Sequence, residues 1–92
     1  MSEQWTFLTN HAHVLVLLAG NPDLRIRELA IEVGITERAT QRIIGELVDS
    51  GYLDRHRQGR RNTYSLNRDR PLRHPLESHH TVGDLLDAVG PG

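Results

Sequence analysis

The feature that most constrains this fold is the segment over residues 28–53, ELAIEVGITERATQRIIGELVDSGYL. Apolar residues recur at helical spacing on both sides of a short break formed by Gly34, Ile35 and Thr36. Ala30 is small enough for a second helix to pack close to the first, Gly34 provides a flexible turn, and Ile35 supplies an apolar plug. Thr36 can cap the helix that follows. The segment therefore predicts two short helices joined by a tight turn, as in a helix-turn-helix.

Further helix signals flank this pair. Asn10 can cap an earlier helix, and Gly51 can supply the left-handed residue that ends the helix after the turn. The predicted helices cover about residues 10–19, 27–33 and 37–50. Leu24 and Ile26 alternate with arginines, which predicts a very short strand between the first two helices.

After Gly51 the spacing of the apolar residues changes from that of a helix to that of a strand. Two short strands, at about residues 52–57 and 63–67, flank the sequence QGRRN and predict a β-hairpin that turns at Gly59. The predicted fold class is therefore α+β and mainly α, with a three-helix core and a β-hairpin within residues 1–67.

The last part of the chain, residues 68–92, has a different character. Pro71 and Pro75 bracket a linker, and Thr81 with Asp84 forms a capping pattern for a short helix. An apolar stripe follows the cap: Val82, Leu85, Leu86 and Val89. Because so short a helix is not stable alone, its stripe either joins a second copy of the chain in a homodimer or folds back on its own domain. We expect the homodimer.

Positive charge is unevenly distributed along the chain. The formal net charge is −1 and there is no lysine, yet seven of the 11 arginines lie between residues 55 and 73, where Asp69 is the only acid. The planar guanidinium group suits bidentate contacts with phosphate and guanine better than an ammonium group does. A general preference for arginine codons would explain the same composition, so composition alone leaves both interpretations open.

Several classes of protein receive no support from the residues present. The absence of cysteine excludes disulfides and zinc–thiolate sites. The longest apolar run, residues 14–19, is far shorter than the about 20 residues that span a bilayer, and no basic segment precedes it as in a secretion signal. His11 and His13 point to different sides of a helix, and no nucleophile–base pair occurs. We expect a cytoplasmic protein with no metal, cofactor, membrane partner or enzymatic activity.

The run GITERATQRIIGELVDSGYLDRHRQGRRNTYSL resembles the winged helix-turn-helix of small prokaryotic repressors of the ArsR and MarR types. The corresponding residues are Gly34, Ile35 and Thr36 at the turn, Leu47 and Gly51 at the end of the recognition helix, and the hairpin around Gly59 as the wing. The resemblance covers about residues 10–67. Two residues depart from the pattern without threatening the fold: Thr40, where a β-branched hydrophobe is usual, and Gly45 within the helix.

This resemblance implies a sequence-specific transcriptional regulator that binds double-stranded DNA as a homodimer, on a palindromic operator. Such a regulator would be associated with the nucleoid. The recognition helix would enter the major groove, and the arginine-rich wing would lie on the backbone or in the minor groove. The candidate DNA-contacting residues are Thr36, Glu37, Arg38, Thr40, Gln41, Arg42, Arg57, Gly59, Arg60, Arg61 and Asn62.

A second interpretation stays open, in which the winged helix is a protein-interaction module whose arginines meet an acidic partner. The simplest alternative is that the polar helix face and the hairpin are only solvated surface. DNA binding would show a steep dependence on salt and a preference for particular sequences, which the other interpretations do not predict.

Overall fold

The structure, a computed structural model, describes residues 5–90. The helices and strands follow one another as α1 (Asn10–Gly20), α2 (Ile26–Val33), α3 (Glu37–Asp49), β1 (Leu53–Gln58), β2 (Arg61–Leu66) and α4 (Val82–Val89). The two strands pair with each other in one antiparallel hairpin. The predicted mainly helical α+β fold, with three helices, a hairpin and a C-terminal helix, is confirmed.

The start of α1 differs by one residue from the prediction. Thr9, not Asn10, is the N-cap, because the Thr9 hydroxyl accepts a hydrogen bond from the backbone N–H of Ala12 at 3.3 Å. Asn10 is instead the first helical residue, and its side chain hydrogen-bonds to His13 at 3.1 Å. Threonine and asparagine are both good caps, so the two positions compete and their side-chain geometry decides between them.

The short strand predicted at Leu24 and Ile26 is wrong. Arg25 is the N-cap of α2 and Ile26 is its first helical residue. The Glu28 carboxylate accepts a hydrogen bond from the backbone N–H of Arg25 at 2.8 Å, which satisfies this group within the helix start. A strand here would need a partner strand for its backbone groups, and within residues 5–90 the only strand pairing is that of the hairpin.

Helix α3 has the predicted ends to within one residue. Thr36 caps it by accepting a hydrogen bond from the backbone N–H of Ala39 at 3.0 Å. At the other end Gly51 has a φ of 83°, which the chain requires to reverse direction. The N–H groups of Gly51 and Tyr52 then donate to the carbonyls of Val48 at 3.0 Å and Leu47 at 2.9 Å. This pair of hydrogen bonds ends the helix, and β1 begins two residues after Gly51.

The hairpin is tighter than predicted. Residue pairs run from Leu53 with Leu66 to Gln58 with Arg61, so the loop contains two residues, Gly59 and Arg60, rather than the five of QGRRN. Gly59 has a φ of 62°, and no other residue of the loop has positive φ. A positive φ at the first central position alone is the pattern of a type II′ turn, which matches the twist of the paired strands.

The hydrophobic core lies where the inner faces of α1, α3 and α4 meet α2 and the hairpin. The residues that form it are Val14, Leu15, Leu18, Leu29, Ile43, Ile44, Leu47, Tyr52, Leu53, Tyr64, Val82 and Leu86. Each of these side chains is at most 8% exposed. The core therefore draws on every helix and on both strands.

The tail packs on its own domain. Thr81 and Asp84 form the predicted capping box: the Thr81 hydroxyl accepts from the N–H of Asp84 at 3.1 Å, and the Asp84 carboxylate accepts from the N–H of Thr81 at 3.0 Å. Val82 and Leu86 are buried in the core. Of the predicted apolar stripe only Val89, at 45% exposure, remains largely open. Most of that stripe is therefore covered by other residues of the same chain.

Candidate nucleic-acid interface

Helix α3 presents one polar face to solvent. Its apolar residues at helical spacing, such as Ile43 and Leu47, are buried in the core, which turns the opposite face outwards. Arg38, Gln41 and Arg42 lie on that face and are exposed. With 13 residues the helix is about 20 Å long, sufficient to lie in a major groove.

The three side chains on this face differ in how free they are. Within residues 5–90, Arg38 and Gln41 form no side-chain hydrogen bond, and all their donors and acceptors are available. Arg42 pairs with Glu46 one turn later, with its Nη1 atom 3.3 Å from Oε1 and 3.4 Å from Oε2. This exposed i, i+4 pair is weak and can open in favour of another anion.

The start of α3 contributes residues of two kinds. Thr36 and Glu37 are exposed, but the Thr36 hydroxyl is already used as the cap. Glu37 lies in the first turn, where the helix dipole favours a negative charge. Thr40, by contrast, is fully buried, and its hydroxyl donates to the carbonyl of Thr36 at 2.9 Å. Because Thr40 has no accessible surface, it is removed from the set of candidate DNA contacts.

The wing carries the other candidates, all of them exposed: Arg57, Gly59, Arg60, Arg61 and Asn62. The Nε atom of Arg57 donates to the carbonyl of Gly59 at 3.0 Å, which folds this side chain back along the turn. Arg60 occupies the tip and is free of side-chain hydrogen bonds within the described part of the chain. Among these candidates Arg57 is bent back along the turn, Arg60 is free and Arg61 is tethered; Arg55, also on β1, lies further from the tip.

The tether joins the wing to the loop between α1 and α2. Arg61 Nη2 donates to the carbonyl of Asp23 at 2.9 Å, and the Thr63 hydroxyl donates to the Asp23 carboxylate at 2.8 Å. The N–H of Tyr64 also donates to the carbonyl of Pro22 at 3.3 Å. Sequence reasoning missed this tether because its partners lie about 40 residues apart and neither segment carries a local signal for the other.

Two arginines of the basic stretch do other work. Arg68 donates to the Asp87 carboxylate of α4 at 2.6 Å, and Arg70 donates to the carbonyl of Ser50 at 2.8 Å. The Arg70 guanidinium group also lies over the Tyr52 ring, 5.9 Å from its centroid. Arg70 therefore joins the tail to the end of α3, whereas Arg68 connects two parts of the tail, its start and α4. The other arginines between residues 55 and 73 are those of the wing and Arg73.

His11 links the first helix to α3. Its Nε2 atom is 2.7 Å from Oε1 of Glu46, the carboxylate that also pairs with Arg42. The hydrogen bond with His11 lowers the pKa of the Glu46 carboxyl below its usual value, and the charge of Arg42 acts in the same direction. Glu46 therefore stays ionised and restrains the Arg42 side chain through their ion pair.

The histidines do not converge on a metal site. Among residues 5–90, no three side chains of the metal-ligating types His, Asp and Glu are grouped so that they could hold an ion. His56 hydrogen-bonds instead to Ser65 at 2.9 Å, and His80 pairs with Asp84 at 3.1 Å. None of the helices within residues 5–90 has the length and hydropathy needed to cross a bilayer.

Comparison with known proteins identifies related sequences and folds. The profile of the MarR family matches residues 6–61, which is more than half of the chain. No curated protein matches. Among the solved structures that match is the zinc-dependent MarR family transcriptional regulator AdcR in its Zn(II)-bound state, with 25% sequence identity and a TM-score of 0.51. The similarity covers 71% of this chain and 47% of that chain, so this chain spans about half the length of that regulator.

Proposed function

The chain belongs to the MarR family, and from that premise we propose that it is a transcriptional regulator that binds double-stranded DNA in a sequence-specific manner. Members of this family are transcriptional regulators rather than enzymes. The observation that carries the proposal is the pairing of an exposed polar face on α3 with an arginine-bearing hairpin beside the same three-helix core. As a regulator of bacterial-type operators, it would act in the cytoplasm on DNA of the nucleoid.

In this proposal α3 reads the base sequence. Arg38 and Gln41 keep all their donors and acceptors free, and their backbone is held rigidly by the core residues of the same helix. Arginine can contact guanine and glutamine can contact adenine through two hydrogen bonds each in the major groove. Arg42 can join them by leaving Glu46, and Glu37 can accept from a cytosine amino group.

The wing supplies affinity rather than sequence discrimination. Arg60 and Arg61 lie at a turn where Gly59 adds no side chain, so the backbone of the tip can approach DNA closely. Contacts there go to phosphates or to the minor groove, which carry little sequence information. Arg57 and Asn62, at the adjoining pair of the hairpin, extend the same surface.

The division of labour between helix and wing is testable by titration of variants against an operator and a scrambled duplex at several salt concentrations. Arg60→Ala with Arg61→Ala should weaken binding to both duplexes alike. The log–log salt slope of a dimer should fall by about 3–4 where each arginine contacts its own phosphate, and by about 2 where both hold the same phosphate. Arg38→Ala should cost about 1–3 kcal/mol on the operator and little on the scrambled duplex.

Arg73→Ala is the matched control, because it removes one exposed arginine from the tail rather than from the wing. The operator itself can be found by genome-wide mapping of binding sites followed by footprinting. If the purified protein preferred no genomic fragment over random DNA, the regulator proposal would fail. An unchanged salt slope in the wing variant would show that the hairpin is only solvated surface.

We also propose a homodimer that binds a palindromic site, which would place two copies of α3 about 34 Å apart on one face of the duplex. Burial of Val82 and Leu86 within one chain means that α4 alone does not account for such an interface. Other large apolar side chains that are exposed on the chain, and so available for such an interface, include Trp5, Phe7, Ile31 and Leu76, at 77%, 90%, 70% and 80% exposure. Light scattering at tens of micromolar decides the matter, since a monomer there contradicts the dimer.

A further inference from the structure

A groove of about 380 Å³ lies between the wing and the start of α2. Three of the side chains that line it are arginines, and they come from separate places in the chain: Arg25 from the α2 cap, Arg60 from the hairpin tip and Arg61 from β2. No aspartate or glutamate is among the lining residues. The groove is therefore a concave surface with three positive charges around one space.

These charges are not neutralised by the protein. Within residues 5–90 none of the three arginines takes part in an ion pair. The carboxylates of Asp23 and Glu28 accept their hydrogen bonds from the Thr63 hydroxyl and the backbone N–H of Arg25, and not from a guanidinium group. Like charges that share one space repel each other, and an anion between them removes the repulsion.

The groove is also held in shape. Arg61 is fixed by its 2.9 Å hydrogen bond to the Asp23 carbonyl, which leaves its other N–H groups free. The Thr63–Asp23 bond at 2.8 Å holds the strand behind it against the loop that leads into α2. Tyr64, which is buried, forms part of the lining. These bonds join the wing to the loop that leads into α2, and so connect the two walls of the groove.

We propose that this groove binds one backbone phosphate of DNA, held jointly by Arg25, Arg60 and Arg61. The inference rests on the proposed DNA-binding function and adds to it a residue, Arg25, that no sequence motif indicates. A phosphodiester suits the site because guanidinium groups form paired, charge-assisted hydrogen bonds with phosphate oxygens. In this arrangement α2 and the wing bind the same phosphate of the DNA backbone. That shared contact sets the position of α3 along the major groove.

A double-mutant cycle with a scrambled duplex tests whether the three arginines share one phosphate. Arg25→Gln should weaken binding about three- to tenfold in the wild-type background. In the Arg60→Ala, Arg61→Ala background the same change should have almost no effect, because the shared phosphate is already lost. Arg25→Lys keeps the charge but loses the planar fork, so it should restore only part of the affinity.

The opposite results would overturn the proposal. Equal effects of Arg25→Gln in both backgrounds would mean that Arg25 acts apart from the wing, and full activity of Arg25→Lys would mean that only the overall charge matters. Arg73→Ala is the control for loss of one exposed arginine outside the groove. It should show no dependence on the wing background.

Titration of the free protein with dimethyl phosphate tests the groove without DNA. The side-chain Nε signals of Arg25, Arg60 and Arg61 should shift together with one common dissociation constant, whereas that of Arg38 should not follow them. Uniform shifts of all arginine signals would show unspecific ion binding and reject the site. If the wild-type protein preferred no operator yet these three signals shifted together, the regulator proposal would fail while the anion site would stand.

Discussion

At the scale of single residues, Glu46 is the side chain on which two others depend. It lies on α3 and is shared by His11, at 2.7 Å, and Arg42, at 3.3 Å. The pair with His11 connects α1 to α3, the proposed recognition helix. The pair with Arg42 restrains one of the side chains that we propose to contact bases. Each of these contacts is exposed to solvent, so each is individually weak and easily exchanged.

The Glu46 contacts predict a pH dependence of stability. Since the folded state lowers the pKa of this carboxyl, through the His11 hydrogen bond first, its contribution to stability is complete above its ordinary unfolded pKa and is lost as pH falls through the lowered folded pKa. Glu46→Gln should therefore be less stable than the wild type near pH 6, and the difference should shrink towards pH 3. Urea unfolding at several pH values measures it.

Glu32→Gln is the control for this measurement, because Glu32 is an exposed glutamate of α2 that takes part in no ion pair among the described residues. Its difference from the wild type should stay near zero at every pH. A Glu46→Gln difference that did not change with pH would mean that the carboxylate charge contributes nothing to folding.

At the scale of elements, α3 contains one glycine and is followed by another, and the two have opposite roles. A Cβ at Gly45, in the middle of the helix, would meet no atom within 4 Å. A Cβ at Gly51, after the helix end, would lie on a residue with a φ of 83° and 3.1 Å from the Arg70 guanidinium group. The first glycine therefore only weakens the helix, whereas the second is required by the chain reversal into β1.

Alanine substitutions should separate these roles. Gly45→Ala should stabilise the protein by about 1 kcal/mol because alanine is the better helix former. Gly51→Ala should destabilise it by about 1–2 kcal/mol because an L-residue is strained in the left-handed conformation. Thermal unfolding of the two variants beside the wild type gives both values, and a loss of stability in Gly45→Ala would contradict the open space seen there.

The wing is the second element whose behaviour follows from a specific contact. A two-stranded hairpin is marginally stable by itself. Here the burial of Leu53 and Tyr64 in the core and the tether to the α1–α2 loop both hold it in place. Thr63→Val removes the hydroxyl that bonds Asp23 at 2.8 Å and keeps the shape of the side chain. Amide hydrogen exchange should become faster in β1 and β2 while that of α1 and α3 is unchanged.

Ser65→Ala is the comparison variant for the wing, since it removes a hydroxyl from the same strand whose hydrogen bond goes to His56 within the hairpin. It should leave exchange of the hairpin closer to that of the wild type. Should Thr63→Val and Ser65→Ala behave alike, the loop would not be what positions the wing.

At the scale of the whole molecule, the tail is a structural part of the domain. Val82 and Leu86 lie in the same core as α1, and the bond of Arg70 to Ser50 attaches the tail at one further point. The salt bridge of Arg68 with Asp87 holds α4 to the start of the tail. A chain that ended near residue 67 would expose these core surfaces to water.

Substitutions on α4 test this role of the tail. Leu86→Ala should lower the free energy of unfolding by about 2–5 kcal/mol, as expected for a leucine that is only 5% exposed. Val89→Ala on the same helix should cost far less, because Val89 is 45% exposed. Denaturant unfolding of the two variants measures the difference, and equal small effects would show that the tail is not part of the cooperative core.

The sequence by itself determined the elements and which way they face. Thr36, Gly51 and the Thr81–Asp84 box are signals contained within a few residues, so the ends of α3 and α4 follow from local chemistry. The outward face of α3 was predictable for a similar reason: the helical period of its buried residues decides where the polar ones point.

Only the tertiary structure decided what each of the clustered arginines does. In the sequence Arg61, Arg68 and Arg70 belong to one basic stretch, yet Arg61 is bound to a carbonyl 38 residues away, Arg68 pairs with Asp87 inside the tail and Arg70 bonds the tail to Ser50. The burial of Thr40 and the position of Arg25 beside the wing likewise depend on the tertiary structure. A charged or hydroxyl side chain has the same local sequence whether it meets water or a distant backbone group, and long-range packing alone distinguishes the two.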